Sequence, residues 1–260
     1  MISSPNNPKL KLARSLAGRS KDRREAGAFL AEGVRLVEEA LASDWPFRCV
    51  LHSSELSDRG WQLLARLQQR GIETDEVSSR LLSSLSETET SQGILAVLAD
   101  EQPPRVHELS FVLITDAVRD PGNLGTLLRT AEAAGVDAAF LAPGTTDAFA
   151  PKVVRAGMGA HFRLPIYEVS WDDIKTQVAA YKWNVYLADM HGRSCWEVEF
   201  RPPLALIIGG EAEGASEAGR KLAQQAVSIP MQDNAESLNA AVAGAILMFE
   251  IKRQRRPSPR

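Results

Sequence analysis

The sequence predicts an α/β architecture in two units, on three observations. Short apolar runs alternate with helical stretches in both halves of the chain, several of those runs are apolar on both faces, and a charged segment with a Pro-Pro pair divides the halves. Alternation of this kind places helices on a sheet. Strands with no polar face belong in a parallel sheet covered on both sides. The 260 residues, 44% hydrophobic and 24% charged, have the length for two ordinary domains and exclude a disordered, collagenous or small disulfide-stapled chain.

In residues 1–100, Phe29, Leu30, Val34, Val37 and Leu41 recur at short helical steps and predict one amphipathic helix over 28–42. Strands follow at 47–51, 72–77 and 93–98, with helices near 60–69 and around Arg80, completing a small α/β domain. Residues 101–109 read as a linker. In residues 110–260 the runs 111–115, 138–142, 185–188, 204–208 and 227–229 predict the parallel sheet, with helices between them. A last helix from Ser237 to about Arg253 sets Leu238, Val242, Ile246 and Phe249 on one stripe beside Ala241, Gly244 and Ala245. Small residues there allow close approach of another helix, including one from a second subunit.

Apolar runs such as 204–208 fall far short of the roughly 20 residues that cross a bilayer. The N-terminus has no apolar signal core, and Cys49 and Cys195 stand 146 positions apart, so a reducing cytoplasm is expected. Charge is segregated. Residues 1–35 and the last nine residues each carry a balance of +5 on a chain of net charge -3. Basic surfaces on an otherwise acidic chain suit contact with a polyanion, with Lys9, Lys11, Arg14, Arg19, Lys21, Arg23 and Arg24 as candidates. A solvated basic arm and tail would carry the same charge.

Ligands of an open parallel sheet bind at the carboxyl ends of its strands, and three loops there are unusual. Asp116 to Gly125 contains Asp120-Pro-Gly-Asn123, a turn and helix start, with Arg129 about two turns along that helix. Gly209-Gly-Glu-Ala-Glu-Gly-Ala-Ser216 lets backbone approach a ligand, and Glu211 offers a charge for a polar or cationic group. Ile229-Pro-Met leads through Glu236-Ser-Leu-Asn239 into the last helix, where Ser237 and Asn239 offer hydrogen bonds, while Asn234 or Ser237 could simply cap that helix. Each loop alone is also an ordinary strand-to-helix turn. Neither the dinucleotide fingerprint nor a Gly-x-x-x-x-Gly-Lys-Ser/Thr loop occurs, which disfavours a nucleotide-dependent oxidoreductase.

In this order and spacing, the three loops closely resemble the motifs of the SpoU (TrmH) family, knotted methyltransferases that carry a methyl group from S-adenosylmethionine to a ribose 2'-hydroxyl of RNA. The resemblance covers about 111–252. More loosely, residues 1–98 resemble the family's ribosomal-protein-like substrate-binding domain through Phe29-Leu-Ala-Glu-Gly-Val-Arg-Leu-Val37 and Gln92-Gly-Ile-Leu-Ala-Val97. The resemblance implies a trefoil knot near the C-terminus, Asn123, Arg129, Glu211, Ser237 and Asn239 in catalysis, and the donor held at Gly209, Ile229 and Leu238. It implies a homodimer and favours ribosomal RNA over transfer RNA, with a noncatalytic RNA-binding protein on the same scaffold as the alternative. Two departures stand out: Gly210, where relatives commonly carry Asn or Ala, and Gly157, where many carry Ser.

The four histidines show no metal-ligand spacing, and a sulfonium methyl donor needs no metal. His161 is the one histidine near a family segment. Since a guanidinium stays protonated at neutral pH, Arg129 is expected to act as an electrostatic clamp on the ribose phosphate rather than as a base.

Overall fold

The computed structural model describes residues 1–86, 91–103, 108–211, 213–232 and 237–255. Residues 104–107 of the expected linker and 256–260 of the basic tail lie outside them. The chain begins with helices α1 (Pro8–Ala17) and α2 (Ser20–Ala26), then β1 (Ala28–Glu32), α3 (Val34–Ala42), β2 (Phe47–His52), α4 (Asp58–Gln69), β3 (Thr74–Glu76), α5 (Ser79–Ser83) and β4 (Ile94–Ala99). These strands form a sheet of order β1-β4-β2-β3, with β4 antiparallel to both of its neighbours.

The helix expected over 28–42 is instead a strand followed by a helix. Phe29 and Ala31 pack in one core cluster and Ala28 and Leu30 in another, the two-residue alternation of a strand buried on both faces. Gly33, at φ +98, makes the turn into α3, and the Gln92 side-chain oxygen accepts the Val34 N–H at 2.9 Å. The apolar spacing fits either period, so it could not exclude a helix.

The basic N-terminal segment is not a free arm. Leu10, Ala13 and Leu16 bury one face of α1. Lys9 is paired with Glu73, at 2.6 Å, and with Asp75. Arg23 is buried, its Nη1 donating to the carbonyls of Leu16 and Gly18 at 2.7 and 3.0 Å.

After 103 the chain builds β5 (Phe111–Asp116), α6 (Pro121–Ala134) and β6 (Ala138–Leu141), then α7 (Pro151–Gly157). Residues 147–162, α7 among them, pack with residues 1–102. Phe149, Val154 and Phe162 join the core of Phe29 and Trp45, with ring centroids 4.9 Å apart for Phe29–Phe149 and 5.3 Å for Trp45–Phe162. Asp147 accepts from Arg23 Nε and Nη2 at 2.8 and 2.6 Å. This unit is therefore discontinuous in sequence, and a cut within 101–109 would remove part of its core.

The second unit, 103–146 with 163–260, adds β7 (Ile166–Glu168), α8 (Trp171–Tyr181), β8 (Asn184–Ser194), β9 (Leu204–Gly209), α9 (Glu217–Leu222), β10 (Gln225–Ser228) and α10 (Ala240–Arg255). Its sheet runs β10-β8-β9-β5-β6-β7 and every pairing is parallel. Strand β8 is longer than its apolar run because its polar end continues along β10 past a bulge.

Helix α10 starts at Ala240 rather than Ser237, with Asn239 Oδ1 accepting the N–H groups of Ala241 and Val242 at 2.9 and 3.2 Å. Ala241, Gly244, Leu247, Met248 and Ile251 turn inward, while Val242 and Phe249 remain about half exposed. A Cβ at Gly244 would meet Leu127 Cδ2 at 2.3 Å, so the small residue there serves packing of α10 within the subunit. Among the described residues, no helix is long and apolar enough to cross a membrane.

Candidate active site

Central strands β5 and β9 end side by side, Asp116 opposite Gly209, so the two loops that leave them must pass close together. Asp120 caps α6, its Oδ1 accepting the Asn123 N–H at 2.8 Å, and Pro121 occupies the first turn, where its missing N–H costs nothing. This cap fixes Asn123 in the first turn of α6, its side chain partly exposed. On the other loop, Gly210 and Gly214 exchange backbone hydrogen bonds at 3.2 and 3.1 Å and close a tight turn. Buried Asp116 holds that turn from its base, its Oδ2 accepting the Ser216 N–H at 2.7 Å.

Here backbone approach requires glycine. A Cβ on Gly209 would lie 2.3 Å from the Ala215 nitrogen, and one on Gly210 would lie 2.3 Å from the Ala117 carbonyl oxygen. Ala117 itself has φ 56, which turns its carbonyl toward Gly210. The departure at Gly210 is thus matched to the backbone of the neighbouring loop.

The three loops meet through one side chain. Asn123 Nδ2 donates to Glu211 Oε1 at 2.8 Å, and Asn239 Nδ2 donates to Asn123 Oδ1 at 2.9 Å. Because Asn239 Oδ1 is engaged by the start of α10, each amide in this relay has its orientation fixed by its neighbour. Burial opposes ionisation of Glu211, but hydrogen bonds from Asn123 and from backbone N–H groups, that of Arg119 among them, outweigh it and hold the carboxyl below its ordinary range. Glu211 is therefore an acceptor at neutral pH, and its bond to Asn123 weakens only as pH falls through that lowered value.

Beside the relay lies a cavity of about 650 Å³. Ile208, Leu238 and Leu247 supply apolar walls, and the Gly209–Gly210 backbone lines another side. Its size and mixed lining suit an organic group of nucleoside dimensions. Gly209, Ile229 and Leu238, expected at the donor, all line it, as do Glu211, Ser237 and Asn239. Asn123 joins through the relay. Arg129 does not: it is exposed on α6 and, among the described residues, makes no hydrogen bond or ion pair.

The wall of Ala188, Asp189, Met190 and His191, and Arg220 opposite it, had no motif to announce them. The signal available was the polar continuation of the 185–188 strand. His161, by contrast, is a core residue: burial pushes its imidazole down to about 4, and Nε2 meets the Ala148 carbonyl at 2.8 Å. Of the basic candidates, Lys11, Arg14, Arg19, Lys21 and Arg24 are exposed. Lys9 pairs with Glu73 and Asp75, Arg23 with Asp147, and Lys21 with Glu25, all carboxylates of the same unit. Among the described residues no group of three or more His, Cys, Asp or Glu side chains is placed to hold a metal ion.

Residues 110–249 match the model of the SpoU rRNA Methylase family, and 7–96 match an MRM3-like substrate binding domain. The chain is 36% identical over 254 residues to the 23S rRNA (guanosine(2553)-2'-O)-methyltransferase RlmP of Bacillus subtilis, covering 96% of this chain and 98% of that one. It is 32% identical to the 23S rRNA (uridine(2479)-2'-O)-methyltransferase of Streptomyces viridochromogenes, over 96% of this chain and 91% of the other. Among solved structures, the AdoMet-bound rRNA methyltransferase from Sinorhizobium meliloti superposes with a TM-score of 0.84 at 30% identity, covering 98% of both chains. The SpoU methyltransferase AviRb from Streptomyces viridochromogenes, in complex with AdoMet, gives 0.85 at 32% identity over 96% of this chain and 98% of that one.

Proposed function

This chain belongs to the SpoU rRNA methylase family, and from that premise we propose that it transfers a methyl group from S-adenosylmethionine to a ribose 2'-hydroxyl of ribosomal RNA. The observation that carries the reading is the Glu211–Asn123–Asn239 relay, which joins the three motif loops at the rim of the cavity. When bound, S-adenosylmethionine supplies an electrophilic methyl group on a sulfonium. The protein's task is then to hold donor and hydroxyl in line and to favour the hydroxyl's ionisation.

Gly209, Ile229 and Leu238 hold the donor, and the absence of a Cβ at Gly209 and Gly210 keeps the backbone close. Glu211, Ser237 and Asn239 form the polar rim at which the ribose is oriented, with Asn123 fixing the rim's geometry. Arg129, exposed and without a partner among the described residues, clamps the neighbouring phosphate and stabilises negative charge as it develops on the 2'-oxygen. Lys11, Arg14, Arg19, Lys21 and Arg24 contribute sequence-independent attraction to RNA.

The same family reading extends to a trefoil knot around the last strands and α10, to a cytoplasmic enzyme and to a homodimer. The exposed stripe of Leu238, Val242 and Phe249 is the surface a second copy would cover. Sedimentation at micromolar concentration is expected to give twice the 28.4 kDa chain mass; a 28.4 kDa species contradicts the dimer.

Mapping ribose methylation in RNA from cells lacking the gene tests the substrate. A missing 2'-O-methyl group in ribosomal RNA is expected, restored by the intact gene. A complete ribosomal pattern with a methyl group missing from transfer RNA contradicts the choice of RNA.

A further inference from the structure

Strands β8 and β9 are paired only as far as Leu187 opposite Ile207; beyond that point they part, and the cavity opens between them. One wall is then Ala188 to His191 and the other is Gly209 to Glu211 together with Glu213 to Ala215. Among the described residues a single ion pair spans the gap. Arg220, at the fourth position of α9, places Nη1 2.6 Å from Asp189 Oδ2, while its Nε donates to the Ala215 carbonyl at 3.2 Å. Asp189 Oδ1 accepts the His191 N–H at 3.0 Å, so both of its oxygens are engaged. Among the described residues no other side-chain hydrogen bond joins the two walls. The Asp189 side chain is 16% exposed and that of Arg220 49%, so the bond is sheltered on the carboxylate side. The His191 N–H, with Arg220 assisting against burial, keeps Asp189 ionised at neutral pH.

We propose that Asp189 and Arg220 are positioning residues that set the width of the donor cavity by bridging its two parted walls. This rests on the reading that the cavity receives S-adenosylmethionine. Neither group need touch the reacting atoms. The bridge fixes the 188–191 backbone against the turn that carries Glu211, and donor affinity depends on that spacing. Its loss lowers donor binding equally before and during transfer, which raises KM without slowing the saturated rate.

The test compares Arg220→Gln, Asp189→Asn, the double variant and Arg220→Lys in the full chain, by methyl transfer at varied donor concentration. Either single neutralisation should raise donor KM about tenfold, the equivalent of ~1.4 kcal/mol, with kcat and the KM for RNA unchanged. The double variant should be no worse than either single one, because one bond is lost once. Arg220→Lys should recover part of the affinity, since an ammonium still pairs with Asp189 but cannot also hold Ala215 in the same fork.

A donor KM unmoved by Arg220→Gln overturns the bridge. So does a donor KM raised by Arg220→Gln but untouched by Asp189→Asn, which would make Arg220 a direct contact of the donor. Hydrogen exchange on the donor-free protein supplies a second reading. Amides of 188–191, 210, 211 and 213–215 should exchange faster in Arg220→Gln than in the wild type, and equal exchange refutes the bridge. If the wild type binds no donor at all, the enzymatic reading falls while the exchange result still decides the bridge.

Discussion

Arg129→Ala is expected to lower the saturated rate of methyl transfer by about 10²–10³-fold, the loss typical of removing one preorganised group that meets developing charge. Donor affinity should be unchanged, since Arg129 is not among the residues that line the cavity. Its side chain is exposed and makes no ion pair among the described residues, so its removal costs the fold little. Arg129→Lys should recover only part of the rate, because an ammonium keeps the charge but not the planar fork that grips a phosphate. Rapid mixing with saturating donor and RNA measures the effect. A variant as active as the wild type, or one whose defect lies in donor binding, contradicts the role assigned to Arg129.

Asp147→Ala is expected to destabilise the protein by ~3–5 kcal/mol, the usual consequence of leaving a buried charge without its partner. The Arg23 guanidinium, whose side chain is 7% exposed, would keep its bonds to the Leu16 and Gly18 carbonyls but lose the carboxylate. Segment 147–162 would lose one polar anchor, keeping the Arg155–Glu32 pair, while Phe149, Val154 and Phe162 still packed on Phe29 and Trp45. Replacing Arg23 by Met together with Asp147→Ala should recover part of the loss, since both charges then disappear. Urea denaturation followed by tryptophan fluorescence reports it, with Trp45, one of five tryptophans, in the affected core. A change within about 0.5 kcal/mol, the range of a surface substitution, would show that this ion pair does not hold the segment.

Most of the parallel sheet was legible because runs such as 111–115 and 204–208 are apolar on both faces, and only a covered strand tolerates that. Strand β7, three residues with a single buried side chain, carries too little pattern to detect. The stretch 28–42 misled because burial on two faces places apolar residues at spacings that also fit a helix. Likewise, composition places Lys9 and Arg23 with the other cations. Only the fold shows that Glu73, Asp75 and Asp147, distant in sequence, have claimed them.

At the site, the motif residues were legible because the loops that follow β5, β9 and β10 resemble, in order and spacing, the motifs of a known family. The relay through Asn123 and the bridge from Asp189 to Arg220 were not, because each depends on contacts between segments distant in the sequence.

On this reading the cavity and its polar rim deliver a methyl group to a ribose oxygen of ribosomal RNA. Incubating the full chain with methyl-labelled S-adenosylmethionine and ribosomal RNA lacking its own modification, then digesting the RNA to nucleosides, tests it most directly. Label is expected in a 2'-O-methylnucleoside, and its rate of appearance should fall with Arg129→Ala. Label on a base, or RNA left unlabelled by a chain that binds the donor, would contradict it.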